Sequence, residues 1–424
     1  MSMFSTLGKA WKIPDIRKKM IFTLLMLIVF RLGSNIPVPG IDREVLAQAF
    51  TGQGLFELFN LFSGGAFQNF TIFALSITPY ITASIIMNLL TIAIPYLENL
   101  SKEGTEGRKK MAQITRYLTV VLALVQAIGF SLGIFRQALK SNDFLSVALV
   151  VITLTAGTAF LMWLGEQINE YGIGNGISLI IFGGIIARAP IAISGALASY
   201  KAGEVNLVSI ILFVVFALIV IVGVIMVQQG QRRIPVQYAK RVVGRKMYGG
   251  QNTHIPIKVN QAGVIPVIFG LSILQFPLTL VYFFPDTGFS NFVQTWLSPN
   301  GSPGIWIYVA LYVILIIFFN YFYTAITFNP VEVAENMRAN GGFVPGIRPG
   351  RPTIEYLSNV MMRIAFVGAI FLAVVAAMPL LLSHFTALQI GFGGTSLLIA
   401  VGVALDTMKQ IENQMVMRNY KGFL

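Results

Sequence analysis

A chain of 424 residues with 55% apolar and only 11% charged residues, and a mean hydropathy of +0.75, cannot coat its surface for water; a soluble domain carries about 25% charge. The absence of Cys excludes disulfides, iron–sulfur clusters and thiolate nucleophiles, and two His 130 residues apart, His254 and His384, leave little for a zinc or haem site. The formal charge of +13, from 30 Lys+Arg against 17 Asp+Glu, makes the position of those charges the next question.

Backbone placed in hydrocarbon must satisfy its own hydrogen bonds, which leaves helices or closed barrels. The apolar stretches are continuous rather than alternating, so helices are predicted. The first crossing is 20–36, behind the basic tail Lys9, Lys12, Arg17, Lys18 and Lys19. Residues 20–30 have the length of a signal-peptide core, but Arg31 and then Ser34-Asn35-Ile36-Pro37 follow without a small-x-small cleavage pattern, so the span is read as retained. The charge-poor gap 58–97 holds one crossing and an extra half-length segment. Single crossings follow at 117–135, 144–165, 171–187, 205–231 and 259–285, each near one bilayer at about 1.5 Å per residue. The gap 287–331 holds a surface loop and a crossing from about 305, and 364–405 holds two crossings broken near Ser383 and His384. The count is ten.

Ten crossings put both termini on one side. With the basic tail inside, the inner segments carry 24 Lys+Arg and 11 Asp+Glu, while the outer ones carry six of each. The whole excess of +13 therefore lies on the inner face. The natural division is the loop 195–204, giving an N-terminal half, 1–199, and a C-terminal half, 200–424, of five crossings each. Five is odd, so duplicated halves would be inserted in opposite senses, with the functional path between them.

Two inner loops are long, 228–258 and 329–362, and loops of that length need a reason beyond connection. The first holds Arg232, Arg233, Lys240, Arg241, Arg245, Lys246 and Lys258 and no acid. Control of topology with attraction to anionic membrane lipids is one reading. A docking surface for a large acidic partner is the other. The second loop opens helix-like and then turns through Gly and Pro.

Six strings resemble the bacterial SecY family, the channel subunits of the general protein-secretion translocase: FRLGSNIPVPGID (30–42), LFSGGAF (61–67), WLGEQINEYGIGNGISLIIF (163–182), GQRRIPVQYAKR (230–241), FVPGIRPG (343–350) and GGTSLLIAVG (393–402). The resemblance runs in order along nearly the whole chain. It implies an all-α integral membrane protein of ten transmembrane helices, in two inverted five-helix halves around a central pore. It further implies a multi-pass protein of the bacterial cell membrane with both termini cytoplasmic.

The half-length segment, about 56–70, is apolar and interrupted at Gly64-Gly65. Its length suits a re-entrant or an interfacial helix. The resemblance makes it the plug of the outer funnel, with Phe62, Ser63, Gly64, Gly65, Ala66 and Phe67 at its centre. Ile77 and Ile81, like Ile177 and Ile181, are four residues apart and share a helix face. The resemblance sets these four, with Ile268 and Ile399, on a pore ring; periodicity only permits it. Thr82, Asn88, Gln126, Ser272 and Gln275 are polar residues inside spans, which face a cavity, a partner or simply a neighbouring helix. The resemblance puts them at a lateral gate between spans two and three and spans seven and eight. Pro266 and Pro277 are expected to weaken span seven's backbone ladder. In the turn Gly346-Ile347-Arg348-Pro349-Gly350, Arg348 is presented to solvent. The resemblance gives Arg348, with Arg241, Arg245 and Lys246, to docking of cytoplasmic partners.

The implied partners are the small membrane subunits SecE and SecG, the SecA motor ATPase, the ribosome through its RNA, and the signal sequences of preproteins. No cofactor, metal or catalytic group is implied. A passive gated channel fits span interiors that carry no charge apart from Arg31 and Arg188 near the outer ends. An ion-coupled transporter would need Asp, Glu or His at midplane. A membrane enzyme would need a motif such as HExxH or GxxxxGK[ST], and neither is present.

Overall fold

The computed structural model describes residues 3–42, 63–133, 138–139, 143–203, 206–238, 241–243, 246–248, 252–281, 287–298, 304–385 and 394–421. A helix stands at each of the ten predicted crossings. In chain order these are α2 (Pro14–Gly33), α3 (Thr78–Ala93), α5 (Gly104–Leu132), α6 (Phe144–Tyr171), α7 (Gly176–Lys201), α8 (Leu207–Gln229), α9 (Ile265–Val281), α11 (Gly304–Thr327), α13 (Arg351–Phe385) and α14 (Gly394–Lys421). Six of them are long and apolar enough to cross a bilayer unaided, and α3 joins them when counted with α4 (Pro95–Lys102). The remaining three are short or carry charge at their inner ends. Short helices α1 (Met3–Trp11), α10 (Gly288–Trp296) and α12 (Pro330–Ala339) are the others among the described residues.

Proline and asparagine set many of the boundaries. Pro95 drives the preceding Ile94 out of the helical region, to φ −112° and ψ 111°, so α3 and α4 meet at a 102° bend. Pro14 and Pro330 open α2 and α12, where the missing N–H removes no bond. Asn175 and Asn329 accept from the backbone N–H groups of Ser178 and Val331 as N-caps. In α9 only Pro277 lies inside the helix. Pro266 falls in its first turn and breaks no ladder bond, a correction to the expectation that both prolines weaken this span. Helix α13 runs on to Phe385, past the break expected near Ser383 and His384.

Packing repeats along the chain. Helix α2 packs on α6 and α7, α3 on α5 and α6, α5 on α6, and α6 on α7. Likewise α8 packs on α13 and α14, α9 on α11 and α13, α11 on α13, and α13 on α14. The second series reproduces the first helix for helix. The two series meet at two seams, α3 against α9, and α14 against α1, α2 and α7. The outward faces stay apolar and open: Leu212 is 63% exposed and Ile219 65% on α8, whose inner side chains Val220 and Val224 are buried. Water would not tolerate such a face; lipid does.

The long inner loops are not loops. Strand β1 (Gln231–Tyr238) pairs antiparallel with β4 (Asn252–Lys258), from Gln231 opposite Lys258 to Gln237 opposite Asn252. Its other edge takes β5 (Gly342–Phe343), which comes from the second loop. Between β1 and β4, β2 (Arg241–Val243) and β3 (Lys246–Tyr248) form a smaller hairpin. Ile234, Val236 and Ile257 bury one face of the sheet against Ala334 and Met337 of α12, Val344, and Leu357 of α13. The two segments are therefore one small domain with its own core, on the side predicted to be inner.

Candidate functional site

All six predicted ring isoleucines enter one apolar cluster. Ile77, Ile81, Ile181 and Ile399 are buried in it, and Ile177 and Ile268 pack against it half-buried. They arrive from four helices: Ile77 caps α3 and Ile81 lies on it, Ile177 and Ile181 lie on α7, Ile268 on α9 and Ile399 on α14. The Ile81 N–H bonds the Ile77 carbonyl at 3.0 Å, so this pair does share a face. Each seam thus supplies three of the six. Branched aliphatic side chains offer no hydrogen bonds, so a narrow neck made of them excludes water and ions yet yields to any side chain.

The 163–182 motif explains how α7 is held in place. Helices α6 and α7 join through a tight turn in which Gly174 has φ +94° and the Gly176 α-carbon lies against the Gly165 carbonyl, leaving no space for a Cβ. The Asn169 side-chain oxygen accepts from Gly176 N–H at 2.8 Å, and the Thr23 hydroxyl accepts from Ile173 N–H at 3.0 Å, tying the turn to α2. This motif is a splint for the two helices, and Ile177 and Ile181, two of the predicted ring residues, ride on it.

Of the expected plug, Phe62 and residues 56–61 lie outside the described residues. Residues 63–70 are a succession of turns rather than a helix, because Gly64 (φ +64°), Gly65 (φ +93°) and Phe70 (φ +43°) are left-handed. Phe67 N–H bonds the Ser63 hydroxyl at 3.0 Å, and Thr71 N–H bonds the Ala66 carbonyl at 2.9 Å. Ser63, Ala66 and Phe67 are fully buried, Phe67 edge-on to Phe130 of α5 at 5.6 Å. The segment then runs along the stretch after α2, with Val38 N–H on the Phe70 carbonyl and Ile72 N–H on the Ile36 carbonyl.

The five polar span residues do not form one constellation. The Thr82 and Ser272 hydroxyls bond carbonyls four residues back in their own helices, Thr78 at 3.1 Å and Ile268 at 2.9 Å. Gln275 is buried on α9, and the Gln126 side-chain oxygen is buried with no hydrogen-bond partner among the described residues. Asn88 alone of the five makes a described hydrogen bond between the two helix series: its Nδ2 donates to the Tyr323 hydroxyl of α11 at 2.9 Å. Tyr323 in turn sits edge-on to Phe269 of α9, 5.1 Å between centroids. Sequence reasoning missed Tyr323, since an aromatic in a span carries no signal of its own.

On the inner domain, Arg348 is exposed in a turn bracketed by Gly346 (φ +81°) and Gly350 (φ +101°), and its carbonyl accepts from the Thr353 hydroxyl at 2.8 Å. Arg241 and Lys246 fall on the paired strands β2 and β3; Arg245, between them, lies outside the described residues. The strand signal was present in the sequence as alternation, Ile234, Val236 and Tyr238 on one strand and Ile255 and Ile257 on the other. No cluster of three or more His, Asp or Glu that would hold a metal occurs among the described residues.

A sequence profile described as SecY matches residues 71–408. The chain is 52% identical to protein translocase subunit SecY of Halalkalibacterium halodurans, 46% to that of Bacillus subtilis and 48% to that of Streptomyces coelicolor, each alignment covering all of both chains. Among solved structures, "The structure of a protein conducting channel" superposes with a TM-score of 0.68 at 22% identity, over 94% of this chain and 93% of that one. Sec61 in the canine ribosome–channel complex of the endoplasmic reticulum superposes with a TM-score of 0.64 at 21% identity, over 94% and 93%. At these identities the structures speak for the fold.

Proposed function

The chain belongs to the SecY family, and from that premise we propose that it is the protein-conducting channel of a Sec translocase. An unfolded secretory polypeptide enters from the cytoplasmic face, passes the ring of Ile77, Ile81, Ile177, Ile181, Ile268 and Ile399, and displaces the 63–70 segment as a plug. A signal sequence or transmembrane segment leaves sideways between α3 and α9. The two channel halves are read as 1–199 and 200–424, each contributing one of the two packing series, although α7 continues through the expected loop 195–204 as far as Lys201, so the break between the halves follows that residue. The observation that carries this reading is that the six isoleucines, drawn from both helix series, all belong to the large apolar core in which the two series meet. A transporter or enzyme would need polar chemistry at that place.

The force comes from a partner, because the chain has no nucleotide-binding motif. The inner domain presents Arg348 and the basic strands carrying Arg241 and Lys246 to it, with Arg245 between them. A SecA ATPase and a ribosome both offer the acidic or phosphate-rich surface that such guanidinium groups bind. The ribosome-bound state of the Sec61 neighbour supports the second. Small membrane subunits of the SecE and SecG type would cover part of the apolar flank. The sidedness of the +13 charge supports cytoplasmic termini in a bacterial cell membrane.

The test is reconstitution in liposomes with SecE and SecA. ATP-dependent uptake of a preprotein is expected, and a photocrosslinker at Ile81 or Ile268 should capture an arrested chain. Capture only at peripheral positions would remove the ring assignment. Arg348→Glu should lower uptake without lowering membrane insertion; unchanged uptake would make Arg348 an ordinary solvated turn residue.

A further inference from the structure

Arg31 has no place in the channel reading so far. It is one of two charges near the outer ends of the spans, half-buried in the last turn of α2. A cation there is favoured by the helix dipole, but that end is served by any posture of the side chain. Instead Nη1 donates to the carbonyl oxygen of Gly64, 33 residues away, at 3.1 Å.

Gly64 is held from the other side as well. Its left-handed backbone sets the α-carbon against Gly184 of α7, where an added Cβ would come to 2.8 Å of the Gly184 α-carbon. The contact is backbone to backbone, and only glycine permits it. Gly65, by contrast, has nothing within 4 Å of its Cβ direction. The backbone is therefore held on two sides at Gly64, a closeness that Gly65 does not share. The clamp belongs to α2 and α7, both of the first helix series. Burial supplies most of the contact, but apolar contact is non-directional. The guanidinium bond is directional and fixes one carbonyl in one place.

We propose that Arg31 is a positioning residue that latches the 63–70 segment in its resting seat, through its bond to the Gly64 carbonyl over the Gly184 contact. The proposal rests on the reading of 63–70 as the plug. Release of this bond accompanies displacement of the segment, and the latch stays with the first helix series when α3 and α9 part.

The chain has no cysteine, so Ala66→Cys places a single thiol at a fully buried site within the segment. The full-length channel, reconstituted with its membrane partners, is labelled from outside with a membrane-impermeant maleimide. Arg31→Leu should raise the resting labelling rate about tenfold, near the lower end of what a hydrogen bond to a charged group is worth. It should also raise resting ion conductance. Arg31→Lys, which keeps a cationic donor, should restore most of the protection. Gly64→Ala, acting from the other side of the contact, should expose the thiol as Arg31→Leu does.

A control thiol at Ala376→Cys, fully buried on α13, must stay protected in every variant. Equal exposure of both thiols would overturn the latch, since Arg31 would then hold the fold rather than the segment. In the otherwise unaltered channel, labelling at Ala66→Cys should rise when a preprotein is arrested within it. No rise would end the plug reading itself. A rise there, with a resting rate unmoved by Arg31→Leu, would end the latch alone.

Discussion

The two seams between the helix series are made of different materials. Where α14 meets α1, α2 and α7, Ala10, Ile16, Ile173 and Ile411 are buried together, with Leu7, Ile13, Met20, Met408 and Met415 packed around them. A Thr6 hydroxyl reaches Glu412 at 3.5 Å at the margin. Where α3 meets α9, Ile77, Ile81 and Ile268 belong to the central apolar core, and beside them a polar bond from Asn88 of α3 to Tyr323 of α11 crosses between the series. Burial of many apolar side chains adds with area and is lost only as a whole. One hydrogen bond between membrane helices is worth about 0.6 kcal/mol on average. We propose that the first seam holds and that the second is the one that parts. Since Ile177, Ile181 and Ile399 lie on the helices of the first seam and Ile77, Ile81 and Ile268 on those of the second, opening the second seam alone would divide the proposed isoleucine ring.

The largest effect should come from denying the second seam its movement. In a chain without cysteine, thiols replacing Asn88 and Tyr323 can be joined by a short bismaleimide. Preprotein uptake should fall by at least about tenfold if every passage requires the gate to open. The same linker between Thr6→Cys and Glu412→Cys should leave uptake unchanged. Equal inhibition by both tethers would mean that both seams move, and the contrast would be lost.

Next in size is the stability of the holding seam. Ile411 is 3% exposed at its centre, and Ile411→Ala should cost about 2–5 kcal/mol. Thermal unfolding of the purified protein checks this. A loss no greater than that of an exposed position would show that α1 is an ornament on the bundle and not a brace.

Most of this architecture was legible because lipid imposes one rule on every span. Ten apolar stretches became ten helices, each overlapping its predicted position, and 205–231 came out as Leu207–Gln229. The inward end of α5 was missed by 13 residues, since it begins at Gly104 rather than 117. Beyond the membrane its charged turns are supported by neighbours such as Glu166, which pairs with Arg116 at 2.6 Å. Sheet β4-β1-β5 was illegible as a sheet for a related reason. Alternation at Ile234 and Val236 names a strand, but its partner Phe343 lies more than a hundred residues away in a segment that reads as a turn. The site divided in the same way. The six isoleucines could be named from resemblance, whereas the bonds Arg31 to Gly64 and Asn88 to Tyr323 join residues 33 and 235 apart, where no periodicity reaches.

The smallest effects are the most discriminating, because they separate proposed gate residues that look alike in sequence. Asn88→Ala and Tyr323→Phe each remove the bond that crosses the series, and each should raise resting ion conductance about threefold, the equivalent of roughly 0.6 kcal/mol. The double variant should do no more than either alone, since the same bond is lost. Thr82→Ala and Ser272→Ala remove hydroxyls that bond only carbonyls of their own helices among the described contacts. Those carbonyls already serve the helix ladder, so their removal strands no partner and should change conductance by less than twofold, about 0.4 kcal/mol. A Thr82→Ala effect as large as that of Asn88→Ala would mean that the seam is held by helix shape rather than by a bond across it. The weak seam would then need an apolar account like the strong one.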